Sequence, residues 1–323
     1  MPHAFRFGVQ AYSAESGKAW RDMARQAEAL GYSAFHLADH VIGPGPALTP
    51  TNHPVQNLAA VPAMAVAAEA TSTIKIGCRV FCVDYRNPVM LTKELATLDL
   101  FSDGRLEIGL GAGWLQNEYT AMGVQWDRAG VRIERLAANV ELIRAAFADG
   151  ELNIDNDYVH AVGFESVPKP TTKPCPPIMI GGGAQRVLGL AGREADIVSI
   201  NFDNSAGRIG PEGVGSGTAD GTQQKIDWVR AGAGDRFDQL EIEIGAYFTI
   251  VTDQRDATLG AMAPRFGLTP DVLAEHPHTL IGSLESICEQ IIARRERYGV
   301  SYITVGGTSM ESFAPVVAAL TGK

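Results

Sequence analysis

The stretch from Asn87 to Trp114, NPVMLTKELATLDLFSDGRLEIGLGAGW, contains a complete helix–strand unit followed by glycines. Asn87 is a favourable N-cap and Pro88 suits the first helical position, so a helix is predicted to begin here. Residues 105–113 then read as a strand whose end carries glycine at every second position, which lets the backbone approach a ligand. The stretch matches neither the P-loop nor the G-x-G-x-x-G pattern, because no Lys follows and Trp114 replaces the last glycine.

Helix and strand patterns of the same kind alternate along the whole chain of 323 residues. The predicted strands are residues 5–10, 34–39, 74–81, 105–111, 177–181, 196–201, 241–250 and 301–306. Strands separated mostly by helices favour parallel pairing with right-handed crossovers. The sequence therefore predicts an α/β fold, a (β/α)8 TIM barrel with insertion segments, in which residues 1–323 form a single domain. An open doubly wound sheet is the alternative, but no dinucleotide-binding fingerprint supports it.

Three segments, 41–57, 151–176 and 201–222, interrupt the alternation and are predicted to be insertions that shape a pocket. Leu152–Val167 reads as a β-hairpin, and the Pro-rich stretch after it reads as a connector. The Gly-rich part of 201–222 is either a disordered loop or a mobile lid, and the sequence does not decide between them. Function is expected at the C-terminal ends of the barrel strands.

Composition and charge restrict the class of partner. The formal net charge of −10 argues against nucleic acid or an anionic membrane as a general partner. Cys78, Cys82, Cys175 and Cys288 form no C-x-x-C pair and no His cluster accompanies them, which indicates reduced thiols and no metal site. The N-terminus lacks the apolar region of a signal peptide, and no run of about 18 apolar residues occurs. We therefore expect a cytoplasmic protein without a membrane span.

Asp39 and His40 end the second predicted strand. Histidine changes charge near neutral pH, so His40 suits proton transfer at the barrel mouth. Asp39 suits orienting a ring or accepting a hydrogen bond from a cofactor. The alternative is that Asp39 caps the following loop and His40 is part of the polar surface.

Glycines end two further strands. Gly111 and Gly113 leave a surface without side chains that would accept a flat ring system, although tight packing is the alternative. The run Gly181–Gly183 precedes a helix start at Ala184 or Gln185, where free N–H groups favour an anion. Arg186 in the first turn is unfavourable unless an anion is near, which predicts a phosphate; a plain strand–helix turn is the alternative.

Together these strand ends predict a flat, phosphorylated cofactor at the barrel mouth. The carboxylates, among them Asp103, Glu107 and Glu118, are scattered and form no pair suited to hydrolysis. No serine lies in a G-x-S-x-G motif. A cofactor that supplies the difficult chemistry is the simplest interpretation.

Three blocks of the sequence resemble the luciferase-like flavin and deazaflavin oxidoreductases. Residues 87–123 are similar to the helix 3–strand 4 signature of that family, residues 176–199 to its strand 5 phosphate segment, and residues 280–305 to its C-terminal helix–strand unit. The blocks occur in the family's order. The resemblance implies a (β/α)8 barrel that binds reduced FMN or the deazaflavin F420 at its mouth.

The resemblance also implies roles for residues at that mouth. Asp39-His40 match the Asp-His pair of the F420-dependent members, in which the His lies beside the ring as an acid–base group. A non-prolyl cis peptide is expected between Arg79 and Val80, with Val80 against the central ring. With His40 as the catalytic residue, the complete set of predicted cofactor-binding residues is Asp39, Cys78, Arg79, Val80, Gly111, Ala112, Gly113, Gly181, Gly182, Gly183 and Arg186.

Two positions depart from the family pattern. Trp114 stands where some F420-dependent sugar-phosphate dehydrogenases carry a Glu after the strand 4 glycines, which argues against sugar-phosphate oxidation. Arg79 is bulky where smaller residues are common, and it either meets an anionic cofactor tail or points to solvent.

The leading prediction is an F420-dependent oxidoreductase that transfers a hydride between C5 of the deazaflavin and a small organic substrate, with His40 supplying or taking a proton. One alternative is a two-component monooxygenase that uses reduced FMN and O2. The other is a protein that binds or carries F420 or flavin without turnover. The family resemblance also implies a homodimer.

Overall fold

The structure, a computed structural model, describes residues 3–323. The strands are β1 (Arg6–Ala11), β2 (Ala34–Leu37), β3 (Lys75–Cys78), β4 (Phe81–Cys82), β5 (Leu106–Gly111), β6 (Glu151–Asp155), β7 (His160–Glu165), β8 (Ile178–Gly182), β9 (Ile197–Ile200), β10 (Glu241–Ala246), β11 (Phe248–Val251), β12 (Thr279–Gly282) and β13 (Val300–Gly306). The α-helices are α1 (Gly17–Ala29), α2 (Ala60–Ala70), α3 (Pro88–Phe101), α4 (Gln116–Met122), α5 (Ala129–Phe147), α6 (Gln185–Glu194), α7 (Pro211–Gly215), α8 (Ala219–Ala233), α9 (Arg255–Met262), α10 (Pro270–Ala274), α11 (Leu284–Tyr298) and α12 (Met310–Leu320).

Eight parallel strands close into a barrel in the order β1, β2, β3, β5, β8, β9, β10 and β13, and β13 pairs with β1. Helices connect most consecutive strands and cover the outside of the barrel. The predicted (β/α)8 TIM barrel is therefore confirmed. The predicted hairpin is also present, because β6 and β7 pair antiparallel outside the barrel.

Local sequence signals explain where several helices begin and end. The Asn87 side chain accepts hydrogen bonds from the N–H groups of Val89 and Met90 at the start of α3, as the N-cap prediction required. The Ser283 side chain caps α11, and Gly299 ends that helix in the left-handed conformation with φ 75°. These caps set the ends of the helices that join consecutive barrel strands.

Two strand predictions need correction, and one strand was not predicted. The predicted strand 74–81 is interrupted at Arg79–Val80, so that β3 and the two-residue β4 pair separately with β5. The predicted strand 241–250 breaks at Tyr247: β10 belongs to the barrel, whereas β11 leaves it and pairs with β12. β12 was not predicted as a strand, because it has only four residues and a strong helix signal follows it directly.

The segment 201–222 is not a disordered loop in the structure, since it contains α7 and the start of α8. It also contacts the first insertion, because the N–H of Ile209 donates to the Thr51 carbonyl at 2.8 Å. The Asn52 side-chain amide in turn donates to the Ile209 carbonyl at 2.9 Å. Two insertions are thus joined by hydrogen bonds.

The main apolar core lies between the barrel and its helices, while much of the barrel interior is polar. Arg6, Glu107 and Tyr302 form one buried polar group, in which the Tyr302 hydroxyl donates to Glu107 at 3.2 Å. A small apolar cluster of Ala34, Met179, Ile197 and Tyr302 also lies inside, and Val80 packs against it. The interior is therefore packed by side chains, as expected for a barrel of this size.

Candidate active site

Asp39 and His40 follow β2 and have different environments. Asp39 is 3% exposed, and its carboxylate accepts two hydrogen bonds from Arg86, at 2.6 and 2.9 Å, and one from the Cys82 N–H at 3.1 Å. A bidentate Arg–carboxylate pair is geometrically specific. Asp39 therefore anchors the segment around β4 to the loop after β2 on which His40 lies.

His40 is held by a buried carboxylate. Its Nδ1 lies 2.8 Å from Oε2 of Glu118, a side chain on α4 that is fully buried. Glu118 also accepts hydrogen bonds from the Tyr85 hydroxyl at 2.8 Å and from the Val41 N–H at 2.5 Å. Burial alone would raise the pKa of Glu118, but the hydrogen bonds and the nearby His40 ring lower it to about 2.

This arrangement selects the tautomer of His40. An ionised carboxylate only accepts hydrogen bonds, so Nδ1 of His40 carries a proton and Nε2 is left to exchange one. Within residues 3–323, no hydrogen bond is made to Nε2. His40 therefore has the oriented imidazole geometry that general acid–base catalysis uses.

Glu118 is a residue of the candidate site that the sequence did not single out. It was noted only as one of several scattered carboxylates. It lies 78 positions from His40 in the sequence, and only the barrel brings α4, which follows β5, close to the end of β2, with β3 between the two strands. One signal in the sequence could have identified Glu118: it lies within the family block 87–123, shortly after Gly111 and Gly113.

Aromatic side chains surround His40 at the rim of the barrel. The ring of His53, from the first insertion, lies 3.9 Å from that of His40 between centroids. The Trp114 ring lies 5.9 Å from His40 and 5.8 Å from His53, and Tyr12 packs edge-on against His53. Burial, assisted by His40, lowers the pKa of His53 to about 3, so this second imidazole is neutral at physiological pH. We call Tyr12, His40, His53 and Trp114 the rim cluster.

The peptide between Arg79 and Val80 is cis, as the family resemblance implied. Val80 is half-buried at the barrel mouth, whereas the Cys78 side chain is buried below it. A Cβ added at Gly111 would lie 2.6 Å from Val80, and one at Gly181 would lie 3.2 Å from it. The room left by these glycines is thus filled by Val80, so a ring bound at the mouth would meet Val80 and not a bare glycine surface.

The backbone after β5 has its own support. Gly113 adopts φ 71°, and a Cβ there would collide with the Tyr119 hydroxyl, so only glycine fits. Arg132 of α5 donates to the Ala112 carbonyl at 3.0 Å. Tight packing, the alternative considered for these glycines, therefore explains Gly113 in full, and Ala112 remains partly accessible.

Of the two orientations predicted for Arg79, the one toward solvent is wrong. The side chain is 2% exposed and points into the barrel, and its contact with an anionic cofactor tail stays a prediction. Nε lies 3.0 Å from both carboxylate oxygens of Glu243 on β10, and Nη1 donates to Gln10 at 2.8 Å and to the Tyr247 hydroxyl at 3.3 Å. Gln10 donates in return to the Arg79 carbonyl at 3.1 Å. The bulge is therefore held from inside by an ion pair.

The glycines after β8 precede α6 as expected. Ala184 is the N-cap of α6 and provides no side-chain hydrogen bond, so the first-turn N–H groups are left for another acceptor. Gly182 and Gly183 are required by packing, because added Cβ atoms would lie 2.3 Å from Val187 and 2.1 Å from the Phe202 carbonyl. Arg186 is exposed and lies 3.5 Å from Glu134.

These residues fit a phosphorylated ring cofactor by their own geometry. The uncapped N-terminus of α6 supplies donors for a phosphate, Val80 and Ala112 supply a platform, and His40 lies on a neighbouring strand end. Residues 3–323 contain no group of three His, Cys, Asp or Glu side chains placed to hold a metal ion. No helix in the described part of the chain is long and apolar enough to cross a membrane.

Solved structures with the same fold cover nearly the whole chain. An F420-dependent secondary alcohol dehydrogenase in complex with an F420-acetone adduct matches with a TM-score of 0.76 and 19% identity, over 98% of this chain and 99% of that one. The F420-dependent tetrahydromethanopterin reductase from Methanopyrus kandleri matches with a TM-score of 0.72 and 18% identity, over 99% of both chains. At these identities the likeness establishes the fold alone.

Curated sequences match over shorter regions. An F420-dependent glucose-6-phosphate dehydrogenase of Amycolatopsis mediterranei is 31% identical over 54% of this chain and 50% of its own length. An FMNH2-dependent dimethylsulfone monooxygenase of Pseudomonas putida is 23% identical over 55% of this chain and 45% of its own length. The chain thus spans about half the length of these two relatives.

The model of the luciferase-like monooxygenase family matches residues 2–279, which is most of the chain. This match agrees with the closed parallel barrel and with the cis bulge after β3. The chain belongs to the luciferase-like monooxygenase family.

Proposed function

We propose that the protein is an F420-dependent oxidoreductase that transfers a hydride between C5 of the deazaflavin and a small organic substrate. The observation that carries this proposal is the His40–Glu118 pair at the end of β2, beside the bulge at Val80 and in the same barrel mouth as the uncapped start of α6. Relatives named as F420-dependent dehydrogenases support the choice of cofactor.

The proposed cofactor contacts divide into three groups. The first-turn N–H groups of α6, the backbone of Gly181–Gly183 and the Arg186 side chain hold the phosphate. Val80 supports the ring, with the backbone of Gly111, Ala112 and Gly113 beside it. Cys78, Arg79 and Asp39 have side chains turned into the protein, so their proposed part is to shape the bulge and the strand end.

When bound, the deazaflavin supplies a carbon that accepts or donates a hydride. His40 manages the accompanying proton at Nε2, because Nδ1 is fixed by Glu118. Glu118 keeps the ring in one orientation and stabilises the imidazolium that forms when Nε2 takes a proton. The rim cluster screens this position from water with aromatic rings.

A monooxygenase using reduced FMN and O2 is the second candidate, because a relative is named as FMNH2-dependent. A carrier that binds the cofactor without turnover is the third. F420 and FMN are both phosphorylated ring systems, so the proposed contacts suit either one, and a binding experiment distinguishes them. The single-domain organisation, the homodimer and the cytoplasmic location stay predictions.

The decisive experiment is a cofactor panel on the purified protein. We expect F420 fluorescence to be quenched at micromolar concentrations, while FMN binds much more weakly. Tight binding of FMN alone would contradict the proposal.

The variant His40→Gln, compared with the exposed control His160→Gln, should lose turnover by about 100-fold or more while F420 affinity stays within a few-fold. Unchanged turnover would favour the carrier.

A further inference from the structure

Two imidazoles at the rim make no hydrogen bond through Nε2 within residues 3–323. His40 uses Nδ1 for Glu118, and His53 uses Nδ1 for the Pro54 carbonyl at 2.8 Å. The two rings are in contact but tilted, with centroids 3.9 Å apart and planes inclined by 46°. Neither Nε2 is among the buried atoms without a partner, so both stay accessible. In the proposed function only His40 handles a proton, and His53 has no part in the chemistry.

The chemistry of His53 differs from that of His40. A carbonyl accepts hydrogen bonds, so Nδ1 of His53 carries the proton and Nε2 has a free lone pair. The ring has no carboxylate partner of its own, and its pKa of about 3 keeps it neutral in the working pH range. His53 Nε2 is therefore an acceptor of hydrogen bonds and not a carrier of protons.

The position of His53 is fixed by the fold. Its N–H donates to Thr51 at 3.1 Å, and Thr51 is buried. The same turn is held across the rim by the hydrogen bonds between Ile209 and residues 51 and 52. An acceptor held in this way selects a ligand group because its geometry is preorganised.

We propose that His53 Nε2 accepts a hydrogen bond from a second hydroxyl of the substrate, so that the enzyme takes vicinal diols, or the hydroxy-ketones that correspond to them. This inference rests on the proposed function. A simple alcohol has one O–H, and His40 Nε2 takes that proton. A substrate that has a donor on the adjacent carbon can satisfy the second acceptor as well, in place of a water molecule.

The reaction balances with the cofactor as oxidant. In the oxidative direction the carbinol C–H bond breaks and its hydrogen leaves with two electrons as hydride. The O–H proton passes to His40 Nε2, and the carbon–oxygen bond becomes a carbonyl. The neighbouring hydroxyl is unchanged and stays on His53. The substrate loses two electrons and the deazaflavin gains them.

The test compares trans-cyclohexane-1,2-diol with cyclohexanol on the F420-loaded protein. Nitrogen-15 NMR of labelled histidines measures binding, and the change in F420 absorbance measures turnover. We expect the diol to bind about tenfold tighter than the mono-alcohol, which is the value of one added hydrogen bond, and to shift the His53 Nε2 resonance. His53→Phe should abolish this preference, His53→Gln should keep part of it, and His160→Gln should leave it unchanged.

Equal affinity for the two alcohols, or a preference for the diol that survives in His53→Phe, would overturn the inference. Failure of the proposed function is separate and visible as absent F420 quenching. In that case the NMR titration is repeated without cofactor and still measures binding of the diol at His53. A shift of the His53 Nε2 resonance that only the diol causes supports the acceptor role, and no shift overturns it.

Discussion

At the scale of single residues, the His40–Glu118 contact decides how the site handles a proton. Glu118→Gln preserves the shape but replaces the charged acceptor with an amide. We expect turnover to fall by about 10- to 100-fold, because the imidazolium of His40 loses its stabilising charge. The pH profile of activity should change as well, since the variant removes a carboxylate whose pKa the contacts with His40, Val41 and Tyr85 lower to about 2.

Steady-state kinetics across pH measure this effect, with the exposed Glu151→Gln as a control. The affinity for F420 should stay within a few-fold, since Glu118 is fully buried and does not reach the mouth. An unchanged pH profile in Glu118→Gln would mean that the carboxylate only supports the fold.

The sequence identified some of these residues and not others for a physical reason. His40 was predicted because it ends a strand, which is a local property. Its two neighbours Glu118 and His53 come from α4 and from the first insertion, and neither has a local pattern that points to His40. The solvent-facing alternative for Arg79 was also wrong, because its partner Glu243 lies 164 positions away on another strand.

At the scale of elements, the bulge between β3 and β4 is tied to β10 by the Arg79–Glu243 ion pair. Arg79→Met leaves the Glu243 carboxylate buried without its partner, which typically costs about 3–5 kcal/mol. The double variant Arg79→Met/Glu243→Gln should recover much of this loss, because the uncompensated charge is gone. Urea unfolding of both single variants and the double variant measures the coupling.

If the changes in the free energy of unfolding of the two single variants simply add up in the double variant, this account of the bulge is contradicted. The result also bears on function, because the Arg79 carbonyl and Val80 share the bulge. We expect the affinity for the cofactor to fall in Arg79→Met in parallel with stability.

The turn between β8 and α6 tests how glycine is used at the mouth. Gly183→Ala places a Cβ about 2.1 Å from the Phe202 carbonyl, a backbone atom that cannot move freely. Overpacking of this kind costs about 1–3 kcal/mol. Gly260→Ala, in α9 with open space around it, should instead be neutral or stabilise by up to about 1 kcal/mol.

Thermal unfolding of the two variants measures whether each substitution lowers or raises the stability of the protein. A Gly183→Ala protein as stable as the parent would mean that this glycine is kept free for the ligand and not for packing.

Strand periodicity was sufficient to predict all eight barrel strands, because apolar runs and turn residues are local signals. The β11–β12 pair was not predicted, since residues 241–250 read as one continuous strand and the break at Tyr247 follows a single glycine, Gly245, that also fits within a strand. The cis bulge came only from the family resemblance.

At the scale of the whole molecule, buried neutral histidines make stability depend on pH. Burial lowers the pKa of His276 to about 4 and that of His278 far below its ordinary value, and His53 has a pKa of about 3. In the unfolded chain each titrates near 6.5. Below that pH the unfolded state binds more protons than the folded state, so stability falls as pH falls.

Between about pH 6.5 and 4.5 these histidines account for the loss of stability. Glu107 and Glu118 have folded pKa values of about 2, so their protonation destabilises the folded state only below about pH 4.5. Each fully buried histidine contributes up to about 1.4 kcal/mol per pH unit in this window. Half-buried His53 contributes less to this pH dependence of the free energy of unfolding.

Urea midpoints at pH 7.5, 6.5, 5.5 and 4.5 should therefore decline steadily as the pH falls. His53→Gln should flatten the slope while exposed His160→Gln leaves it unchanged, and a midpoint constant down to pH 4.5 would show that the folded state accommodates these protons.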